Sequence, residues 1–526
     1  MNIIPKVVNY ELNGKSVLIK FLSLHQNCEF QSFIINNTNL PIVDNEEGIS
    51  LLCKNNAEEI SKHFNKDKMK DAYIIHIENK RIEIFYSCYS GFVNAISTLE
   101  QLLLDLALGN EFATVKTGYI YDTSKYSYRG LLVDVSRHYR TVEELKKTIR
   151  MMSFYKLNYL HLHLTDDQGW RIEIKKYPKL TNGGNIRNST QLNLKGKTDS
   201  KKYGKGLYYT QDELKSLVKY AKEYGIEIIP EIDVPGHLLG AISQYPELSC
   251  SKKRIDVRVE WGVEKIIACA SDPNTLRFIE DIIDEVVEIF PCKYFHIGGD
   301  EVPKDEWKTC KSCQNKMKEL GLKNENELQG WLTDVITEYL NNKGKQAVIW
   351  DENLDVPIKA NSTITQLWSN KLNKSQSEDW IKKGNKMLIS YCHNFYFDYP
   401  YGKTPLKKTY LFSSKTIKLK PQYEKNVLGM EAAMWSEWMR DITKFEFMLY
   451  PRMQAFSENC WCDNLDSYEG FEDRLKSHLE YLSCEEIIYC PLHICNPSGM
   501  NKLKQWKYSR SKTTDTYDEM RLAKLK

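Results

Sequence analysis

The sequence predicts an α/β protein: a (β/α)8 TIM barrel preceded by a small α+β domain. Its 526 residues exceed one ordinary domain and suit a barrel with one smaller domain beside it. From about residue 128, short apolar runs alternate with amphipathic helical segments, which is the pattern of parallel βα units. Eight such runs follow the first domain, and eight parallel strands are what closes this barrel.

Three parts are predicted along the chain. Residues 1–124 are expected to form the small α+β accessory domain, because runs such as 81–86 alternate apolar and polar residues and an amphipathic helix follows at 91–104. The barrel is expected over residues 125–493. Residues 494–526 are basic and polar, and we expect a C-terminal tail that is mobile or loosely docked.

The barrel strands are predicted from apolar runs and the helices from apolar residues at three- and four-residue spacing. Strands are expected at 130–135, 159–164, 226–231, 294–298, 347–350, 364–368, 387–390 and 428–434. Helices are expected after an N-cap at Thr141, over 274–289 and 325–340, and within 466–493.

Composition excludes some classes of partner. Hydrophobic residues make up 42% and charged residues 27% of the chain, as in ordinary soluble proteins, and the net charge of +3 provides no field suited to nucleic acid. No apolar run is long enough for a membrane span or a signal peptide. We therefore expect a cytoplasmic protein, or a secreted or periplasmic one if a signal peptide was removed. The sequence leaves the oligomeric state open.

The fourteen cysteines form no recognisable disulfide framework. Cys310 and Cys313 make a lone CxxC, and no second CxxC or histidine pair lies at zinc-finger spacing. The spacing thus favours scattered free thiols over a structural zinc site.

Polar residues follow most of the predicted strands, where a barrel places its active site. The clearest of these is the pair Asp300–Glu301, preceded by two glycines that allow close approach of the backbone to a ligand. Adjacent strand residues point to opposite faces, so the two carboxylates are expected to have separate roles, one of them that of a general acid. Taken alone, the pair is better explained as a helix-capping Asp beside a solvated Glu.

The combined motifs resemble the family 20 glycoside hydrolases, the β-N-acetylhexosaminidases, from about residue 70 to about residue 485. They occur in the family's order and include the HxGGDE sequence that ends at Glu301. The matching stretches are 128–139, 161–171, 230–237, 295–302, 350–352, 396–398, 435–437 and 450–452.

The resemblance implies a retaining exo-glycosidase that removes terminal β-linked GlcNAc or GalNAc from glycans by substrate-assisted catalysis through an oxazoline intermediate. Glu301 is then the general acid and base. Asp300 orients the acetamido N–H and stabilises its developing positive charge, and Tyr396 donates a hydrogen bond to the acetamido oxygen. No metal or cofactor is needed for this reaction.

The resemblance also implies substrate-binding residues. Arg129 is expected to bind the 3- and 4-hydroxyls of the sugar, Glu437 the 4- and 6-hydroxyls, and Asp398 the substrate through the Tyr-x-Asp motif. Asp166 and His237 are expected near Glu301. The acetamido pocket is expected to be walled by Trp350, Trp368 and Trp435.

One departure from the family concerns the pocket mouth. Many members place a Trp after the Tyr-x-Asp motif to stack on the next sugar, but residues 401–412 contain none, and Tyr410 is expected in that role. The histidines at positions 161, 163 and 296 could suggest a metal, but they belong to the motifs and are expected to be hydrogen-bonded barrel residues.

Two other functions remain open at this point. One is an ordinary two-carboxylate glycosidase in which Asp166, Glu352 or Glu431 is the nucleophile. The other is a sugar-binding barrel without activity.

Overall fold

The computed structural model describes residues 1–44, 48–193, 196–352, 358, 363–368 and 379–509. It confirms the predicted fold class, because the eight predicted strands close into a parallel barrel and an α+β domain precedes them. The part of the predicted tail from residue 510 onward lies outside the described residues.

The first domain is a six-stranded mixed sheet in the order β1-β6-β4-β5-β3-β2, with helices packed against it. Its strands are β1 (Asn9–Ile19), β2 (Leu22–Leu24), β3 (Ile49–Asn55), β4 (Tyr73–Ile77), β5 (Arg81–Tyr86) and β6 (Ala113–Asp122). Its helices are α1 (Gln31–Asn37), α2 (Ala57–His63), α3 (Tyr89–Leu102) and α4 (Leu104–Ala107). The apolar face of α3 is buried against this sheet, as its periodicity predicted.

The barrel closes in the order β11-β12-β13-β14-β15-β16-β7-β8, with parallel pairing throughout. Its strands are β7 (Tyr128–Asp134), β8 (Tyr159–His163), β11 (Glu227–Glu231), β12 (Tyr294–His296), β13 (Gln346–Trp350), β14 (Thr363–Leu367), β15 (Met387–Ile389) and β16 (Val427–Met434). A two-residue hairpin, β9 (Thr165–Asp166) and β10 (Gly169–Trp170), follows β8.

Helices surround the barrel and cover its apolar outer face. They are α5 (Val142–Phe154), α6 (Lys179–Asn182), α7 (Gln211–Glu223), α8 (Leu239–Ile242), α9 (Pro273–Ile289), α10 (Asp305–Thr309), α11 (Lys311–Leu320), α12 (Glu325–Asn342), α13 (Cys392–Phe395), α14 (Leu406–Tyr410), α15 (Ile442–Leu449), α16 (Arg452–Trp461), α17 (Tyr468–Cys484), α18 (Leu492–Cys495) and α19 (Gly499–Ser509). Short 3-10 helices lie at Pro246–Leu248, Ser414–Ile417 and Pro421–Asn426.

Local signals set several helix starts. Thr141 caps α5 with a reciprocal bond from Glu144, so the predicted capping box is confirmed. Thr210 and Glu213 form the same motif at the start of α7. Each capping box therefore fixes the residue at which its helix begins, Thr141 for α5 and Thr210 for α7.

Two sequence expectations change at this level. Part of the predicted tail is the helix α19, and the amide of Gln505 is buried and donates to the carbonyl of Ile494. The cysteines are not all scattered, because Cys250, Cys269, Cys310 and Cys313 meet in one cluster. Among the described helices, none is both long and apolar enough to cross a bilayer.

Candidate active site

A pocket opens at the carboxyl end of the barrel, where side chains from several strand ends face one cavity. Its walls are mainly acidic and aromatic, with one arginine and two histidines. The lining residues are Arg137, His163, Asp166, Asp233, His237, Asp300, Glu301, Trp368, Tyr396, Asp398, Tyr399, Trp435 and Glu437.

A tight turn presents the acidic pair to this pocket. The strand β12 ends at His296, and φ is then positive at Gly298, Gly299 and Glu301, at 63°, 88° and 48°. A Cβ on Gly298 would lie 1.8 Å from Oδ1 of Asp233, and the N–H of Gly299 donates to the same oxygen at 2.9 Å. Glycine is needed at position 298 because the backbone passes directly over the Asp233 carboxylate.

The two carboxylates of the pair face the same imidazole. Oδ2 of Asp300 lies 3.8 Å and Oε2 of Glu301 lies 3.7 Å from Nε2 of His237. The expectation that they point to opposite faces is wrong, since they lie in the left-handed turn and not in the strand. Their environments still differ, because the Asp300 side chain is 14% exposed and that of Glu301 43%.

The Asp300 carboxyl is poised between its two protonation states. Burial is the main cause that raises its pKa to about 7, with Glu301 adding to the rise and His237 opposing it. Its Oδ1 is buried and has no hydrogen-bond partner among the described residues. Burial beside Asp300 also raises the pKa of Asp233 well above its ordinary value. An acceptor of this kind is suited to a donor that arrives with a ligand.

A chain of charges connects His237 to the far wall of the pocket. Nδ1 of His237 lies 3.3 Å from Oδ1 of Asp166, whose Oδ2 lies 2.5 Å from Nη2 of Arg137. Burial disfavours the imidazolium, but Asp166 and Asp300 outweigh that penalty and raise the pKa of His237 well above its ordinary value. The imidazole is therefore a cation that faces both Asp300 and Glu301.

Aromatic rings enclose the part of the pocket above Asp300. Trp368 and Tyr396 are stacked with an interplanar angle of 10° and a centroid distance of 6.0 Å, and Trp435 lies 6.0 Å from Tyr396. Burial raises the pKa of Tyr396 well above its ordinary value, so its hydroxyl remains a hydrogen-bond donor. Trp350 was expected in this wall, but it lies behind Trp435 and is 1% exposed.

Arg129 is the clearest error among the predicted site residues. It is 1% exposed at the start of β7, the opposite end of the barrel from the pocket. Its Nη1 donates to Asp71 at 2.9 Å and to the Tyr126 carbonyl at 2.7 Å, and its Nε donates to the Lys156 carbonyl. It therefore joins the barrel to the first domain.

Arg137 is the arginine that lies in the pocket. It follows the last residue of β7, Asp134, whereas Arg129 is the second residue of that strand. Active-site residues gather at the carboxyl ends of barrel strands, so this position was the signal in the sequence that favoured Arg137.

Tyr410 does not lie at the pocket mouth. It is fully buried, stacks on Phe471 and donates to Oε1 of Glu458 at 3.0 Å. Tyr399 lines the pocket instead, one residue after Asp398. The nearness of Tyr399 to the Tyr-x-Asp motif was the available signal, and sequence reasoning missed it, as it missed Asp233.

The barrel histidines are hydrogen-bonded, as predicted: His161 and His163 to carboxylates, and His296 to the Gly298 N–H. Nδ1 of His161 lies 2.9 Å from Glu431, Nε2 of His163 lies 2.9 Å from Asp166, and Nδ1 of His296 lies 2.9 Å from Glu231. Burial opposes protonation of His161, but the two glutamates raise its pKa to about 9. The donor atoms of His161, Glu231 and His296 are close enough together to hold a metal ion, as are those of His237 with Asp166 and Asp167 or with Asp233 and Asp300.

These features agree with comparisons to known proteins. A sequence model of Glycosyl hydrolase family 20, catalytic domain, matches residues 126–464. The chain therefore belongs to this family, as the motifs implied.

The chain is also similar to named bacterial proteins. The Beta-hexosaminidase of Porphyromonas gingivalis is 34% identical over 412 residues, which are 74% of this chain and 51% of that protein. The Beta-hexosaminidase of Vibrio furnissii is 32% identical over 403 residues, which are 73% of this chain and 64% of that protein. The chain thus spans about half the length of the first relative and just under two thirds of the second.

A solved structure matches both the first domain and the barrel. The GH20 exo beta-N-acetylglucosaminidase of Vibrio harveyi, in complex with N-acetylglucosamine, superposes with a TM-score of 0.79 at 26% identity. The match covers 93% of this chain and 78% of that one.

Proposed function

We propose that this chain is a retaining exo-β-N-acetylhexosaminidase that uses the acetamido group of its substrate as the nucleophile. One observation carries the proposal. Asp300 presents a buried oxygen without a hydrogen-bond partner among the described residues, under an aromatic wall and beside the more exposed Glu301. An acetamido N–H fits the oxygen, and its methyl and carbonyl fit the wall.

In the first step the acetamido oxygen attacks the anomeric carbon while the bond to the leaving oxygen breaks. Glu301 gives its proton to that oxygen, and the aglycone leaves as an alcohol. Asp300 accepts a hydrogen bond from the acetamido N–H, and its negative charge stabilises the positive charge of the forming oxazolinium. Tyr396 donates to the acetamido oxygen. Attack by a tethered group can lower the barrier by roughly 7–11 kcal/mol.

In the second step a water attacks the same carbon from the opposite face. Glu301 takes the proton of that water, the bond to the acetamido oxygen breaks, and the acetamido group is regenerated. The two inversions leave the β configuration unchanged. His237 faces both carboxylates, and its positive charge favours the ionised form of Asp300.

The binding roles follow from the same pocket. Arg137 and Glu437 are proposed to bind ring hydroxyls, Asp398 to bind the substrate beside Tyr396, and Tyr399 to contact the next sugar. Glycans with a terminal β-N-acetylhexosamine are the proposed substrates.

The two-carboxylate alternative has less support. Glu431 is fully buried inside the barrel, where it accepts hydrogen bonds from Tyr128, His161 and Gln366. Asp166 is held between Arg137, His163 and His237. Glu352 accepts the N–H of Glu301 at 2.6 Å. Each candidate nucleophile is therefore bound to groups of the protein.

The decisive experiment compares a chromogenic β-N-acetylglucosaminide with the matching β-glucoside. We expect the first to be hydrolysed and the second to be turned over very poorly, because a 2-hydroxyl cannot form the oxazoline. A thiazoline that mimics the oxazoline should inhibit tightly. Comparable rates on both glycosides would favour a separate carboxylate nucleophile, and no turnover of either would favour a sugar-binding barrel.

A further inference from the structure

Four cysteines from two separate segments converge outside the pocket. Cys250 and Cys269 lie in the segment after β11, and Cys310 and Cys313 lie in the segment after β12. All four sulfur atoms lie within 4.8 Å of one another. Sγ of Cys313 is 3.6 Å from Sγ of Cys250 and 3.7 Å from Sγ of Cys269.

These sulfur–sulfur distances match those around a tetrahedral zinc ion. A zinc ion bonded tetrahedrally to four sulfurs at about 2.3 Å holds them about 3.8 Å apart. A disulfide requires about 2.05 Å between its sulfurs, and all four cysteines are free in the structure. Small rotations of the cysteine side chains would bring all four sulfurs to bonding distance from one zinc ion.

The backbone of both segments holds the sulfurs in place. Cys310 is the N-cap residue of α11, and Cys313 lies in its first turn, where the helix dipole favours thiolates. On the other segment, Ser249 and Ala268 form an antiparallel bridge, which brings Cys250 beside Cys269. The Cys269 N–H also donates to the carbonyl of Leu248 at 2.7 Å.

A hydroxyl lies next to two of the sulfurs. Oγ of Ser271 is 3.4 Å from Sγ of Cys269 and 3.3 Å from Sγ of Cys313. In the structure this hydroxyl donates its proton to Oγ of Ser312 at 2.9 Å, and on metal binding it would turn toward a sulfur to stabilise a thiolate.

We propose that Cys250, Cys269, Cys310 and Cys313 form a structural zinc site that joins the two loops carrying the pocket residues His237, Asp300 and Glu301. On binding, each of the four thiols loses its proton to solvent, and the ion receives four thiolate ligands. Four protein ligands leave no open position for water or substrate, so the site stabilises structure and takes no part in the reaction.

The position of the cluster explains what it would stabilise. The indole N–H of Trp307, just before Cys310, donates to the Ala268 carbonyl at 3.0 Å. The N–H of Ala268 in turn donates to the carbonyl of Pro235, two residues before His237. The ion would therefore link the segment of His237 to the segment that follows Glu301.

The first test measures metal in the intact protein. The full chain is produced with added zinc, purified without chelators and analysed by elemental mass spectrometry and X-ray absorption. We expect about one zinc per chain with four sulfur neighbours at about 2.3 Å. Disulfides among these cysteines in a native mass measurement, iron in place of zinc, or no metal with four alkylatable thiols would each overturn the proposal.

The second test uses matched variants. Cys313→Ser and Cys250→Ser should each lose most of the zinc and lower the Tm, because zinc binding contributes folding free energy. Cys484→Ser, at an exposed cysteine in α17, is the control and should keep both zinc and Tm. If a variant does not fold, the wild type is tested instead. A mercurial reagent releases its zinc, which should lower the Tm, and a reducing thiol then frees the cysteines. The Tm should recover only when Zn²⁺ is added. Full zinc in both cluster variants, or a Tm independent of zinc, would overturn the proposal.

Discussion

The two ends of the barrel both bury charged side chains, and they differ in how those charges are balanced. At the end that faces the first domain, Arg129 pairs with Asp71 at 2.9 Å and Lys156 pairs with Asp122 at 2.9 Å. Each cation of the barrel meets one carboxylate of the other domain. Charges paired in this way fix the position of one domain on the other.

At the pocket end, carboxylates outnumber the cations that face them. Asp233 and Asp300 are buried close together, and burial raises the pKa of both; the charge of Asp300 adds to the rise at Asp233, and the charge of Glu301 adds to the rise at Asp300. A folded protein keeps such unfavourable carboxylates where they serve binding or catalysis. The comparison therefore separates buried charges that stabilise this fold from those that serve the proposed reaction.

The largest effect is expected at the general acid. Glu301→Gln should lower kcat on substrates with poor leaving groups by about 10²–10⁴, because general acid catalysis contributes that much. The loss should be much smaller on activated aryl glycosides, which need little protonation. Steady-state kinetics on the two substrate types check this, and equal losses would argue against the acid role of Glu301.

The opposite end of the barrel should respond in stability and not in kinetics. Arg129→Met removes one partner of a buried ion pair and should lower the free energy of unfolding by about 3–5 kcal/mol. Asp71→Asn is the matched variant at the other partner, and KM should be unchanged in both. Denaturant unfolding and kinetics on a β-GlcNAc substrate measure the two effects. A higher KM with unchanged stability would instead support the role of Arg129 in sugar binding.

Asp300→Asn should act in the transition state. An asparagine keeps the shape of the side chain but lacks the negative charge. The activation free energy should therefore rise by on the order of 3 kcal/mol or more, which lowers kcat, while KM changes little. The Tm should stay the same or rise, because the buried carboxyl has a raised pKa and its ionised form destabilises the fold at neutral pH. Near-normal kcat would remove Asp300 from the mechanism.

The smallest effect is expected with pH. Asp300 must be ionised to stabilise positive charge, and its pKa is about 7. Lowering the pH below 7 should therefore protonate it, and kcat/KM should fall by about tenfold per pH unit. A pH profile of Asp300→Asn should lack this acidic limb. An unchanged limb in that variant would assign it to another group of the pocket, such as Asp233.

Much of the fold was accessible from local patterns. The eight barrel strands, the helix α3 and the capping box at Thr141 follow from hydrophobic period and capping chemistry, which act over a few residues. Most predicted pocket residues also meet in one cavity, because the carboxyl ends of barrel strands lie together once the barrel closes.

The sequence by itself thus determined the order of elements, the closed barrel and the end where polar residues gather. Only the tertiary structure decided that Arg137 and not Arg129 lies in the pocket, that Tyr410 is core and Tyr399 is not, and that four distant cysteines meet. The left-handed turn that aims both Asp300 and Glu301 at His237 was likewise decided there. The reason is physical: these contacts join segments distant in the chain, and their geometry depends on how whole elements pack.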